Sequence, residues 1–546
     1  MTGAIELEVL RTRLLACTGE VAAALANAAP TVELAQGREF AVAVADPQGN
    51  VAAIDNPARL GSVEATVRHV SGYFEFDLIE GDVVITNDPY HGGTRVQEPT
   101  LVAPLILDSE LVLHLVAQVR IGDMGGQVGG NLNPAATELL AEGVPVTPMK
   151  IRRLGRPVRD IQTAFLLNGR RPEETRRIIE VAIAALSVGH RRIGELISQN
   201  GVAAVKAALG YAQDYTERSA RRALSSWEAG TYTGERTLDL GEAGPLTVRA
   251  QATVDGGELT IDLSASDDQQ PLFVNSPAGV TASAVTTAVH TVLGSAVPAN
   301  SGLTRVFRLV TRPGSIVDPQ APAPCGYGAS HCGSEIVGAV GAALGQAVAK
   351  ALPALSVPRP LVVARPAADT SALLDFGRWG IGGASAAGGT DGWGRPAPET
   401  RSELPSAEQW ETDTGLPVES VEYLADSGGA GTWTGAPGVE TVLAVAPDLH
   451  YTLWTTPSAG TVAGTDGGSA GAAGEIAFEH GGTWTPAPET LSDQPIPADR
   501  IRLRVAGGGG YGDPRSRDAA AIAGDIEDGL LSPSAAASSY GKQGTP

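Results

Sequence analysis

Cysteine is scarce: three residues in 546, Cys17, Cys325 and Cys332. So small and odd a set fits a reducing compartment, and the cytoplasm is the expected location. Aromatic side chains make up only 5%, which makes a wide aromatic ligand platform improbable. Positive charge is short too. Lys plus Arg number 39 against 61 for Asp plus Glu, leaving a net charge of −22. That balance argues against nucleic acid or an anionic membrane surface as the main partner. No apolar run reaches the ~18 to 20 residues needed to span a bilayer. Glu6 and Glu8 stand where a secretory signal would be apolar, so no secretion is expected.

What is present is enough for two or three domains with full cores. Hydrophobic residues make up 43%, as in a soluble globular chain. Gly (68) and Pro (37) concentrate in the second half and predict many tight turns there. Leu7, Leu10, Leu14, Cys17, Val21 and Leu25 recur at helical spacing, and residues 37–54 read as a hairpin with a Pro-Gln-Gly-Asn turn. A helix capped by Ser62 is expected after Arg59-Leu60-Gly61. In Leu111–Arg120, period-2 counting puts His114, Gln118 and Arg120 on one face and Leu111, Leu113, Leu115, Ala117 and Val119 on the other. Residues 158–229 read as helical. Strands follow from about 230, with a hairpin through Gly256-Gly257 and a helix over 280–293 capped by Ser276.

The chain is organised around Gly81–Pro104, GDVVITNDPYHGGTRVQEPTLVAP. Val83–Thr86 is a β-branched, apolar strand; Asn87-Asp88-Pro89 ends it, and Gly92-Gly93 forces a tight loop. That loop carries Tyr90, His91, Arg95, Gln97 and Glu98. A second Gly-braced loop, Ile121–Gly126 with Asp123, follows Arg120. A rigid edge crowded with ionisable groups is a common way to present a site; the competing reading is a polar surface turn.

These blocks resemble the subunit family that includes N-methylhydantoinase B, the C-terminal half of 5-oxoprolinases and the acetone carboxylase alpha subunit. GDVVITNDPYHGGT matches the family's block of this kind. Asn275–Gly279, Pro298-Ala299-Asn300-Ser301-Gly302-Leu303, Asp426–Gly431 and the closing Ala506–Pro514 recur in the family's order. In the acetone carboxylase branch, a divalent metal is held by His and Asp side chains from the two loops. The resemblance places those positions at Arg95, Glu98, Arg120 and Asp123. Both histidines have become arginine, which has no lone pair to donate and cannot ligate a metal. Arg59 is a third His-to-Arg exchange. The expectation is that Arg95 and Arg120 pair with Glu98 and Asp123, or hold an anionic substrate or phosphorylated intermediate; the alternative is an ion-pair network that only braces the loops. Asp88 and His91 are the candidate acid and base, with His114 behind them.

Other motifs are weaker. The run Gly507–Gly510 lacks the Lys-Ser/Thr of a phosphate-binding loop, so a structural Gly turn is expected. Cys325, His331 and Cys332 lack the spacing and the fourth ligand of a zinc site.

The fold expected is mixed α+β. An N-terminal α/β domain covers 1–230, with the site loops and a helical segment at 158–229. A Gly-rich, β-rich domain with interspersed and C-terminal helices covers 231–546. The resemblance implies a B-type subunit of a hetero-oligomer, beside an actin-like ATPase subunit (hydantoinase A-like) that carries ATP and Mg, with no cofactor on this chain. Together they would hydrolyse a cyclic amide or carboxylate a ketone, acting on a small-molecule carbonyl or amide substrate. A rival reading is a non-catalytic paralogue that supports the ATPase subunit.

Overall fold

The computed structural model describes residues 3–541 except 76, 242–243, 349–351, 356–358, 371–372, 395–405 and 457–459. The chain divides into two compact units: Met1–Thr233 with Val248–Ile336, and Gly234–Thr247 with most of the chain from Val337 on. Both mix helices and sheets, as expected of an α+β protein. The division differs from the boundary drawn at residue 230, because 248–336 packs with the N-terminal region.

The first unit is built on a seven-stranded sheet in the order β2-β1-β5-β4-β3-β6-β7. Its strands are β1 (Phe40–Ala45), β2 (Val51–Ile54), β3 (Val83–Thr86), β4 (Thr100–Leu107), β5 (Glu110–Val119), β6 (Met149–Arg153) and β7 (Arg156–Pro157). Every neighbouring pair is antiparallel, with Phe40 opposite Val119 and Thr100 opposite Gln118. Alternation assigns each side chain a face. Leu113, Leu115, Ala117 and Val119 of β5 join Val42, Leu101 and Ile85 in a core with the first helix, α1 (Ala4–Ala28), and the long helices Pro172–Asn200 and Val202–Leu224. On the other face Ala41, Ala43, Val84, Val102 and Val116 pack against Leu60, Val63, Val67 and Val70 of α2 (Leu60–Phe74). The result is a sheet buried between two helical layers.

A further helix, α3 (Ala278–Leu293), lies on α2. The contact is so close that a Cβ at Gly61 would collide with the backbone at Ser283 (2.5 Å). It ties residues 278–293 to the N-terminal region. Two expected caps do not form. Ser62 lies inside α2 and its hydroxyl donates to the Arg59 carbonyl (3.0 Å), while Ser276 pairs with the Thr281 hydroxyl (2.9 Å) and Pro277 precedes the helix. In both places the hydroxyl pairs with a group three or five residues away in the chain in place of a free helix amide.

In the second unit, two sheets share one core. Val362, Tyr451 and Leu453 on strands Leu361–Pro366 and Leu449–Trp454 meet Leu443, Phe478, Ile501 and Leu503 on Val439–Ala444, Glu475–His480 and Arg500–Arg504. Beside this core, Gly507–Gly510 forms a rod in place of the expected turn. Gly507 and Gly510 donate to one neighbour, at the Ala472 and Ser469 carbonyls, while Gly508 donates to Ala436. The Ala506 and Gly509 carbonyls accept from Gly383 and Ala386. Partners recurring every third residue are the signature of a threefold extended helix. A side chain on any of the four glycines would overlap a neighbouring carbonyl oxygen, which is why the run is glycine.

Candidate functional site

Asn87 clamps the base of the loop after β3, donating to the Val96 carbonyl (2.7 Å) and accepting from the Val146 amide (2.6 Å). Asp88 then caps a tight turn by accepting from the Tyr90 amide (2.9 Å). Gly92 adopts φ 101°, and a Cβ there would overlap the backbone of Thr66 on α2. Only glycine permits that loop to lie so directly on the helix.

Past this contact the loop turns inward, and its charges are buried. Glu98 accepts from Arg59 through both oxygens (2.5 and 3.0 Å), from Arg95 (2.6 and 2.9 Å) and from the Thr94 hydroxyl. Burial alone would raise the Glu98 pKa; the Arg59 and Arg95 guanidiniums override it and hold the carboxyl well below the usual carboxylate range. Arg95 and Glu98 therefore meet as expected.

Arg120 and Asp123 do not. Arg120 donates to Glu39 (2.5 Å), whose same oxygen lies 3.8 Å from Arg95. The oxygens of Asp123 accept from the amides of Gly125 (2.9 Å), Gly130 (3.1 Å) and Arg170 (2.8 Å), and from the Arg170 guanidinium (2.9 Å). The expected Arg120–Asp123 pair is thus corrected. Asp123 faces the interior of its own loop and braces it, and the partners are Glu39 and Arg170. No local motif marks either residue, since each meets its partner only through the fold.

The carboxylate positions do not fit a divalent metal. Two of the four implied ligands are arginines, Glu98 receives five hydrogen bonds and Asp123 four. Among the described residues no group of three or more His, Cys, Asp and Glu side chains is placed to hold one. Cys325 and Cys332 are buried thiols whose pKa burial pushes well up, and His331 lies 3.2 Å from Glu335. The glycine rod cradles no phosphate either, because all four of its amides already donate within the protein.

His91 differs from its neighbours. Its side chain is 55% exposed, its Nδ1 lies 2.7 Å from Asp88 Oδ2, and its ring stacks on His69 of α2 at 4.6 Å. Burial lowers the His69 pKa, and so does His91 beside it. His114, by contrast, is buried and held down to about 4, which leaves it neutral beside the Ser71 hydroxyl. Beneath the loop, burial pushes Glu142 up to about 8, although the Cys325 and Gly326 amides donate to it at 2.8 Å each. Sequence reasoning missed Glu142, which sits in an otherwise unremarkable short helical turn.

The profile of the Hydantoinase B/oxoprolinase family matches residues 3–514. The chain belongs to this family. One family relative, the caprolactamase subunit beta of Pseudomonas jessenii, is 30% identical over 507 residues, covering 89% of this chain and 86% of that one. The crystal structure of the ATP-dependent caprolactamase from Pseudomonas jessenii superposes with a TM-score of 0.89 at 25% identity, over 99% of this chain and 96% of that one. The nucleotide-free acetone carboxylase superposes at 0.87 with 16% identity, over 98% and 79%, a likeness of fold. No described helix is long and apolar enough to cross a membrane.

Proposed function

We propose that this chain is the B-type subunit of an ATP-dependent complex that opens a cyclic amide, beside a hydantoinase A-like, actin-like ATPase subunit that holds ATP and Mg. The full-length likeness to a caprolactamase subunit beta supports amide hydrolysis over carboxylation. The observation that carries the catalytic reading is the Asp88–His91 pair. Of the six candidate side chains, His91 is by far the most exposed, whereas Arg95, Glu98, Arg120 and Asp123 are each at most 8% exposed. Asp88 holds Nδ1 and leaves Nε2 to take a proton from water and return it to the departing nitrogen. Behind it, Arg59, Arg95 and Arg120 fix positive charge at the positions where the resemblance implies a metal, a field that favours an anionic, activated substrate.

The test is turnover of the assembled complex with His91→Asn. Loss of about 10²–10⁴ in kcat with assembly intact supports the assignment. Unchanged turnover would shift the reading to a non-catalytic partner of the ATPase subunit, which the saturation of Glu98 and Asp123 already favours. Stoichiometric divalent metal on this chain would overturn the arginine substitution. A carboxylated product would overturn hydrolysis.

A further inference from the structure

The loop that carries His91 is set down on α2 by its backbone. A Cβ at Gly92 would lie 2.4 Å from the Thr66 amide nitrogen, and one at Gly279 of α3 would lie 2.6 Å from the Gly92 carbonyl oxygen. The loop is also closed on itself, since the amides of His91 and Gly93 both donate to the Asp88 carbonyl (3.2 and 3.0 Å). Caught between two helices, it has no room to slide. Residues three apart share one side of a helix, so His69 follows Thr66 on the side of α2 that meets the loop. The stack of His69 on His91, 4.6 Å between ring centres and 27° between planes, is therefore imposed by the backbone. It is no chance contact of two surface side chains. Tyr73, one turn further along α2, stands beside His69 at 6.1 Å.

We infer that His69 is a positioning residue for His91: its flat ring fixes the plane of the His91 imidazole and so the direction of Nε2. The meaning of that direction rests on the proposed function, in which Nε2 carries the proton. Asp88 holds Nδ1 at 2.7 Å. One hydrogen bond leaves the ring free to swing about it, and the torsion that turns a histidine ring is soft. A flat neighbour removes that freedom. His69 also suits the charge that His91 gains with the proton. Burial lowers the His69 pKa, and so does His91 beside it, so at neutral pH His69 offers an uncharged face that does not repel an imidazolium. Two protons on the pair would set like charges face to face. The other titratable groups facing the pair are Asp88 on the loop and Tyr73 on α2; α3 meets the loop at Gly279, which brings no charge. The pair thus takes one proton readily, on His91, where Asp88 answers it.

The test reads turnover of the assembled complex beside histidine NMR of the full-length chain. His69→Ala should lower kcat about tenfold or more while KM stays within about twofold, because a ring turned out of line costs the transition state and not binding. His69→Phe, which restores a flat, uncharged face, should recover kcat to within about threefold of wild type. His69→Leu, which keeps bulk without a flat ring, should be as slow as His69→Ala, and it keeps the test decisive if the alanine loosens the loop. In the full-length chain alone, His91→Asn should raise the titration midpoint of His69 by roughly half a pH unit, because a neighbouring positive charge is gone. Unchanged kcat in His69→Ala and His69→Leu, a His69→Phe variant as slow as they are, or a His69 midpoint unmoved by His91→Asn would each overturn the inference. The two readings fail separately. Full turnover in His91→Asn removes the proposed function, whereas an inactive His91→Asn beside a fully active His69→Ala overturns only the role of His69.

Discussion

Replacing Glu98 by Gln tests the buried charge cluster directly. The substitution keeps shape and one acceptor but removes the charge that Arg59 and Arg95 share. Among the described residues the Arg59 guanidinium has no hydrogen-bond or ion-pair partner besides Glu98, and it is 6% exposed, so it becomes an unanswered buried cation. Among the described residues the one carboxylate left near Arg95 is Glu39, at 3.8 Å. Removing one partner of a buried pair costs about 3–5 kcal/mol. At roughly 2 °C per kcal/mol for a unit this large, the first calorimetric transition should fall by about 6–10 °C. The double variant Arg59→Met/Glu98→Gln should lose less than the sum of the singles, because no lone charge remains. The pH dependence has a definite sign. Glu98 has a folded pKa below its unfolded value of about 4.3, so its contribution is complete above that pH and fades as pH falls towards the folded value. The gap between wild type and variant should therefore be flat from pH 7 to about 5 and close below about 4. A loss under ~1 kcal/mol at pH 7, or a gap that widens in acid, would refute the assignment.

Other variants separate bracing from chemistry. Asp123→Asn should lower thermal stability by about 1.5–3 kcal/mol, because it weakens the contact with Arg170 and turns an amide towards backbone donors; wild-type stability with lost turnover would restore Asp123 to the mechanism. Gly508→Ala should leave the second unit unfolded or insoluble on expression, since its Cβ overlaps the Ala384 carbonyl. Glu142 has a folded pKa raised to about 8, so its ionisation costs stability increasingly as pH climbs from about 4.5 to 8. The stability of Glu142→Gln relative to wild type should rise across that range, and a difference independent of pH would count against the raised value.

Much of the architecture was legible because it is local. The alternation in Leu111–Arg120 assigned the two faces of β5, and helical spacing found α1 and the long helices of 158–229, since each depends only on neighbouring residues. The site was half legible. Arg95 and Glu98 lie three residues apart and share one turn. The partner of Arg120 is 81 residues away and that of Asp123 is 47 away, so no spacing rule could pair them. Ser62 and Ser276 looked like caps, but the Arg59 carbonyl and the Thr281 hydroxyl, three and five residues away, claimed their hydroxyls. The glycine run reads as a turn in isolation, and only its neighbours make it a rod.

That rod carries a consequence for how the chain is made. Its partners at Gly383, Ala436 and Ser469 precede it by some 40 to 125 positions, and each hydrogen bond closes a long loop before it returns any stability. During synthesis those segments emerge first and wait with open backbone groups until Ala506–Gly510 leaves the ribosome. The second unit should therefore have no stable partial form. A nascent chain stalled before residue 506 is expected to be captured by chaperones or proteases, whereas one that carries Ala506–Gly510 clear of the ribosome closes in a single late step.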